Sequence, residues 1–175
     1  MVRLKRILRL ILHTCRLFLL VAAGWLLCGC NHADYGKAHE RRVVIALMDS
    51  AEAVMNDAPE HSLELLDSID SQSIHSRALN ARYALLYSET LYKNGIDVDS
   101  DSLIMIAVRY YSDGKHTGQL FRSFYILGCI YNELGQLTNA AVTLGQAEQL
   151  SDQISDCYRI GLMYTQLGEV FFSNC

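Results

Sequence analysis

The fold is decided by residues 124–147, which read FYILGCIYNELGQLTNAAVTLGQA. Apolar side chains recur every three or four residues on both sides of Leu134-Gly135, which is the period of an amphipathic helix. Glycine just after such a run commonly ends a helix. Two helices joined by so short a turn lie side by side and antiparallel, so the stretch predicts a helix hairpin. The apolar positions are Phe124, Leu127, Tyr131, Leu144 and Ala147.

Two small residues stand where the helices of this hairpin are expected to cross most closely. Gly128 lies in the first helix and Ala140 lies early in the second. The whole pattern resembles the tetratricopeptide repeat, whose signature is aromatic-x2-Leu-Gly-x2-Tyr followed by Ala-x3-Phe. The resemblance implies that seven residues pack the repeat, namely Phe124, Leu127, Gly128, Tyr131, Ala140, Leu144 and Ala147.

The first half of the pattern returns forty residues later as Tyr164-x2-Leu167-Gly168-x2-Phe171. The resemblance therefore implies a repeat over 121–154 and a partial repeat over 157–175, with Tyr164, Gly168 and Phe171 as packing residues. A last helix that carries Phe171 beside Phe172 is an association liability rather than a polar cap. We expect a chain truncated relative to its kin, or a partner on this helix, which includes self-association through it. The alternative is that this helix packs alone as a cap.

Helical spacing also runs through the rest of the chain, and no long stretch alternates with the period of a strand. The sequence predicts an all-α fold of antiparallel helix hairpins, stacked as a short solenoid of the tetratricopeptide type and preceded by a signal or anchor helix. The seven predicted helical stretches fall near 44–55, 63–69, 79–91, 103–111, 121–134, 140–150 and 160–171.

The N-terminus has the order of basic and apolar residues that is typical of a secretory signal. Five basic residues precede an apolar run from Leu17 to Gly29, which is shorter than the ~20 residues that a bilayer span needs. Leu27-Cys28-Gly29-Cys30 resembles the lipobox of bacterial lipoproteins. The resemblance implies a signal peptide over 1–29, a lipidated Cys30, a tether over 30–38 and a helical domain over 39–175. An uncleaved signal anchor is the alternative.

The charge distribution argues against nucleic acid as a ligand. Residues 1–29 hold five of the 15 basic residues and none of the 19 acidic ones, which leaves 10 against 19, a formal −9, for the remainder. Proteins that bind nucleic acid need a positive surface for the phosphates. We expect no nucleic-acid partner.

The sequence offers no recognisable chemistry. It lacks a nucleophile elbow, a phosphate loop and a zinc spacing. Asp97–Asp101 begins like a calcium loop but has neither the glycine nor the final glutamate, so a polar turn is expected. Cys129 is expected to be a small buried or groove-facing thiol. The sequence predicts no catalytic residue, no metal and no cofactor.

The resemblance also implies which residues line a concave ligand groove. In this family the groove is built from fixed positions of the first helix of each hairpin. Arg122, Tyr125 and Asn132 are expected to hold a peptide backbone or an acidic side chain. The full set of groove candidates is Arg122, Tyr125, Cys129, Asn132, Glu133, Thr165 and Glu169.

These features favour a lipid-anchored, non-catalytic scaffold of a bacterial cell envelope that binds a protein or peptide. The run Pro59–Asp70 after a lipobox is similar to repeat-bearing lipoproteins of Bacteroides-type bacteria. One alternative is a sensory or regulatory membrane protein without its output region. Another is a carbohydrate-binding lipoprotein, although the only tryptophan, Trp25, lies in the signal. The choice between inner and outer membrane stays open.

Overall fold

A computed structural model describes residues 30–173, with side chains from 36 onward. This part of the chain contains seven α-helices, two short 3-10 turns and no strand, which confirms the all-α prediction. The 3-10 turns are Ser71–Ser73 and Ser151–Gln153. The helices are α1 (Cys30–Val54), α2 (Pro59–Asp67), α3 (Arg77–Lys93), α4 (Ile104–Tyr111), α5 (Thr117–Glu133), α6 (Leu137–Glu148) and α7 (Cys157–Ser173).

The chain divides into two compact units, Met1–Arg42 and Val43–Cys175. Of the first unit the structure describes only the start of α1, whose residues 36–42 are exposed. The stretch 30–38, predicted to be a tether, falls in this helix. The predicted signal peptide, 1–29, lies outside the described residues. The candidate site described below lies in the second unit.

Local sequence signals account for several helix ends. Pro59 opens α2, where its missing N–H costs no intrahelical hydrogen bond. The Ser76 side chain accepts a hydrogen bond from the Leu79 backbone N–H and so caps the start of α3. Gly95 and Gly135 follow α3 and α5 with φ of 63° and 69°, a backbone conformation that glycine adopts without strain.

Two clusters of buried apolar side chains hold the second unit together, and α3 belongs to both. Leu79 and Leu86 of α3 join the cluster formed with α1 and α2. Ala81 and Leu85 of the same helix join the cluster that continues through α4, α5, α6 and α7. Helices that follow one another pack together from α2 to α7, and α5 also contacts both α3 and α7.

The contact between α5 and α6 depends on a glycine. A Cβ atom added at Gly128 would lie 2.6 Å from Cγ of Leu144, closer than side chains approach one another. The corresponding glycine of α7, Gly168, has open space around its Cα. The same sequence pattern therefore has different surroundings in the two helices. In α5, helix α6 packs against Gly128, whereas in α7 the space at Gly168 is open.

Candidate functional site

A buried ion pair joins α3 to α5. The side chains of Glu89 and Arg122 are only 4% and 12% exposed. Two guanidinium nitrogens of Arg122 donate to one oxygen of Glu89, Nη2 at 2.6 Å and Nε at 3.1 Å. Hydrogen bonds between charged partners are shorter and stronger than neutral ones, and burial strengthens them further.

The same arginine also reaches α1. Nη1 of Arg122 donates to one carboxylate oxygen of Glu52. The other oxygen of Glu52 accepts from Nη2 of Arg82, on α3, at 2.7 Å. Arg82 pairs in addition with Asp49 of α1 at 2.7 Å. Glu52 therefore divides its two oxygens between two arginines on different helices.

The two carboxylate oxygens of Glu89 are likewise shared between an arginine of α5 and an arginine of α7. Its second oxygen lies 3.4 Å from Nη2 of Arg159, which also holds Asp156 at 2.8 Å, just before α7. One continuous set of ion pairs thus joins α1, α3, α5 and α7. We call this set the arginine–carboxylate network, and its members are Asp49, Glu52, Arg82, Glu89, Arg122, Asp156 and Arg159.

The network keeps its members charged against the cost of burial. Burial by itself would lower the pKa of Arg122, but Glu89 and Glu52 raise it above its ordinary value. Burial would likewise raise the pKa of Glu52, but Arg122 and Arg82 hold it below its usual range. Each charge is therefore stabilised by its partners, and removing one partner leaves a poorly solvated charge behind.

A second polar cluster lies on α3 and α5 and consists of Tyr92, Tyr125 and Cys129. The two rings meet edge-on, with centroids 6.4 Å apart. Burial raises the pKa of the Cys129 thiol to about 12, although hydrogen bonds with both tyrosines act in the opposite direction. The nearby charges of Glu133 and Glu169 raise it further. A thiol in this state is a packing group at neutral pH rather than a nucleophile.

The predicted groove residues divide by exposure. Arg122 belongs to the arginine–carboxylate network. Tyr125 belongs to the polar cluster with Tyr92, and Cys129 is buried in that cluster. The donors of Arg122 point at Glu52 and Glu89, so the structure gives no support to the expectation that this arginine holds an acidic ligand. Asn132 is half-buried. The exposed groove candidates are Glu133, Thr165 and Glu169.

The predicted packing residues also fall into two groups. Those of the 121–154 stretch are buried or half-buried. Tyr131 is half-buried, and its hydroxyl donates a hydrogen bond to Asp101 at 2.7 Å. The buried ones are Leu127, Gly128, Ala140, Leu144 and Ala147, and Phe124 is half-buried. Those of the last helix, Tyr164, Gly168 and Phe171, are exposed.

A cleft of about 320 Å³ opens beside the network, between the first half of α5 and the segment that leads into α7. Its walls are mainly polar. Arg122 and Arg159 are among its lining residues, and their guanidinium groups are already bound by carboxylates. The uncharged polar groups that remain for hydrogen bonding are those of Gln119, Gln153 and Ser155.

The sequence reading did not identify Glu52, Glu89 or Arg159 as partners of Arg122. Two signals were present. Arg82 and Arg122 are forty residues apart (122 − 82), the same spacing as between Phe124 and Tyr164. Glu89 stands four and three residues after Leu85 and Leu86, so helical spacing places this charge on an apolar stripe. A charge in such a place requires a partner.

Comparisons with family models, with curated proteins and with solved structures find no match to this chain. Within the described residues, no group of histidine, cysteine and acidic side chains has an arrangement that would hold a metal ion. Among the helices of residues 30–173, none combines the length and the apolar character that crossing a membrane requires.

Proposed function

We propose that the protein is a lipid-anchored scaffold of a bacterial cell envelope that binds a protein or peptide and does no chemistry. Its helices form hairpins stacked in the manner of tetratricopeptide repeats, and the ligand lies on the concave surface of the stack. Cys30 carries the lipid. The arginine–carboxylate network is the observation that carries the stacked arrangement and its concave surface, whereas the anchor rests on the lipobox resemblance of residues 27–30.

The network supports the stack because of which helices it joins. Its residues come from α1, α3, α5 and α7, or from the residue just before α7. These are every second helix in chain order, and they would be the first helices of successive hairpins. In a solenoid of helix hairpins, such equivalent helices line one surface, and curvature brings them together on the concave side. Glu52 in the first proposed hairpin contacts Arg122 in the third, which fits that curvature.

The network also indicates what kind of ligand the surface suits. Its three arginines are neutralised by four carboxylates, so they offer no net positive charge. The exposed groove candidates include the carboxylates of Glu133 and Glu169. A peptide that presents hydrogen-bond donors or basic side chains is therefore favoured over an acidic one.

The anchor is tested by intact mass and detergent partition. Wild-type protein and Cys30→Ala are expressed in a bacterial envelope. We expect the wild type to have the mass of residues 30–175 plus acyl chains and to enter the detergent phase. Cys30→Ala should lose both properties. An unprocessed mass in both proteins would contradict the lipid anchor.

The groove is tested by placing a photo-crosslinking amino acid at one of two exposed glutamates. Glu133 lies at the end of α5, in the proposed groove, whereas Glu148 lies at the end of α6. We expect a discrete polypeptide adduct from position 133 in intact cells and none from position 148. Equal adducts from both positions, or none from 133, would contradict ligand binding on this surface.

A further inference from the structure

A second cleft, of about 490 Å³, opens between the start of α3 and helix α4 with the residues that follow it. Its volume falls within the ~300–1,000 Å³ that is typical of ligand-binding pockets. None of its lining residues belongs to the arginine–carboxylate network or to the groove candidates. We call it the α3–α4 cleft, and its lining residues are Arg77, Asn80, Ile106, Arg109, Tyr110 and Asp113.

Helical spacing brings these residues to one place. Arg77 and Asn80 are three residues apart on α3 and therefore share a face of that helix. Ile106, Arg109 and Tyr110 share a face of α4 for the same reason. The two faces border one cleft because α3 and α4 pack against each other. Each side of the cleft thus contributes one arginine.

The two arginines of the cleft differ from the other three arginines of the second unit. Arg82, Arg122 and Arg159 are all bound by carboxylates of the network. Arg77 and Arg109 are exposed, and neither guanidinium group forms an ion pair with another described residue. Two cations that line one cleft repel each other, and an anion between them relieves that repulsion.

The acidic residue of the cleft leaves it with a net positive charge. Asp113 accepts a hydrogen bond from the backbone N–H of Lys115 at 3.0 Å, and it forms an ion pair with neither arginine of the cleft. Two arginines and one aspartate give the lining a formal charge of +1 (2 − 1). This charge matches a single carboxylate better than a phosphate group, which carries about −1.5 to −2 at pH 7.

An apolar wall adjoins the two arginines and is ordered by its own contacts. The ring of Tyr110 stacks on His116 with centroids 6.2 Å apart, and it meets Tyr111 edge-on at 5.3 Å. Tyr110 and the neighbouring Ile106 are both half-buried, so part of each remains open to a ligand. A side chain that is already held in place loses little entropy when a ligand binds to it.

We propose that the α3–α4 cleft binds an acidic segment of a partner protein. A glutamate or aspartate side chain of the segment accepts hydrogen bonds from Arg77 and Arg109, and an apolar side chain beside it packs on Tyr110 and Ile106. This site selects the opposite charge from the proposed groove. Because the two sites share no residue, the crosslinking experiment on the groove and the titration described next can fail independently.

The test titrates the full chain in mild detergent with blocked hexapeptides of alanine that contain one glutamate next to one phenylalanine, in either order. Isothermal titration calorimetry compares each with the same peptide in which glutamine replaces glutamate. We expect the better glutamate peptide to bind at least about tenfold more tightly than its glutamine counterpart, because hydrogen bonds to charged groups are the stronger ones. Equal binding of the two, or tighter binding of inorganic phosphate, would overturn the proposal.

Four variants separate the cleft from a general effect of charge. Arg77→Met and Arg109→Met should each weaken binding at least about tenfold and keep wild-type helicity, because both side chains are exposed. Lys93→Met removes the same charge at the other end of α3, about 24 Å from Arg77, and should bind like the wild type.

The fourth variant, Asp113→Asn, should have an effect of the opposite sign. Asparagine keeps an oxygen for the Lys115 backbone N–H and removes the charge that repels a carboxylate, so binding should become about threefold tighter. Weakening by Lys93→Met equal to that by Arg109→Met, or weaker binding by Asp113→Asn, would contradict the proposed site.

Discussion

Helices α5 and α7 carry nearly the same sequence pattern in different surroundings. Both have an aromatic residue, leucine and glycine, and then a second aromatic residue at matching positions. In α5 the glycine is Gly128, and Leu144 fills the space above it. In α7 it is Gly168, which is exposed. A packing motif therefore marks a face suited to a neighbour, and whether that face is buried depends on the neighbour.

The largest expected difference between the two helices is in thiol reactivity. Cys129 of α5 is buried, and burial raises the pKa of its thiol to about 12, whereas Cys157 at the start of α7 is exposed. Because the thiolate is the reactive form, maleimide at pH 8 should label Cys157 at least about a thousandfold faster than Cys129. Mass spectrometry of digested samples measures both rates. Similar rates in the folded protein would mean that the α5 cluster is open to solvent.

The next effect concerns the two arginines that share Glu89. Arg122→Met on α5 leaves the buried Glu89 with only the more distant Arg159, so the free energy of unfolding should fall by about 3 kcal/mol. Arg159→Met on α7 removes a partly exposed pair and should cost about 1 kcal/mol or less. Urea unfolding followed by circular dichroism gives both values. Equal losses would show that Glu89 depends on both arginines alike.

Alanine at the two matching glycines should have effects of opposite sign. Gly128→Ala puts a Cβ atom 2.6 Å from Cγ of the buried Leu144, and overpacking of this kind costs about 1–3 kcal/mol. Gly168→Ala meets nothing within 4 Å, and should stabilise the protein by about 0.5–1 kcal/mol because alanine favours the helix. The same urea experiment decides. Stabilisation by both substitutions would mean that Leu144 moves aside freely.

The smallest effect is a difference in acid sensitivity. The arginines lower the pKa of Glu52 below its ordinary 4.5, so its contribution to stability is complete above that pH and is lost as the pH falls through the lowered value. Glu52→Gln should therefore cost about 1 kcal/mol at pH 7 and progressively less below pH 4.5. Unfolding at a series of pH values measures this. A cost independent of pH would show that the charge of Glu52 is not the cause.

A matched control for that experiment lies beside α7. The pKa of Asp156 is lowered mainly by a hydrogen bond from the Arg159 backbone N–H, and its side chain is 37% exposed. Asp156→Asn should therefore change stability less than Glu52→Gln at neutral pH. A larger loss for Asp156→Asn would place the more important end of the network at α7.

The sequence was sufficient for the helices and insufficient for the network. Apolar spacing predicts a helical stretch inside each of the seven helices of the described region, because that signal is local, but it does not predict the first part of α1, from Cys30 to residue 43. The ion pairs of Arg122 with Glu52 and Glu89 join residues 70 and 33 positions apart. No spacing rule relates them, since the pairing depends on how the helices pack in three dimensions. The exposure of Gly168 likewise depends on a neighbour that a motif cannot report.

The network also bears on how the molecule unfolds. In a simple array of repeats each unit contacts only its neighbours, so the ends can fray while the middle stays folded. Here Glu52 of α1 binds Arg122 of α5, and Glu89 of α3 binds Arg159 of α7. Each of these bonds joins two helices that are separated by three others in chain order. Loss of the first or last helix therefore strips charge partners from the centre, which couples the ends of the unit into one cooperative transition.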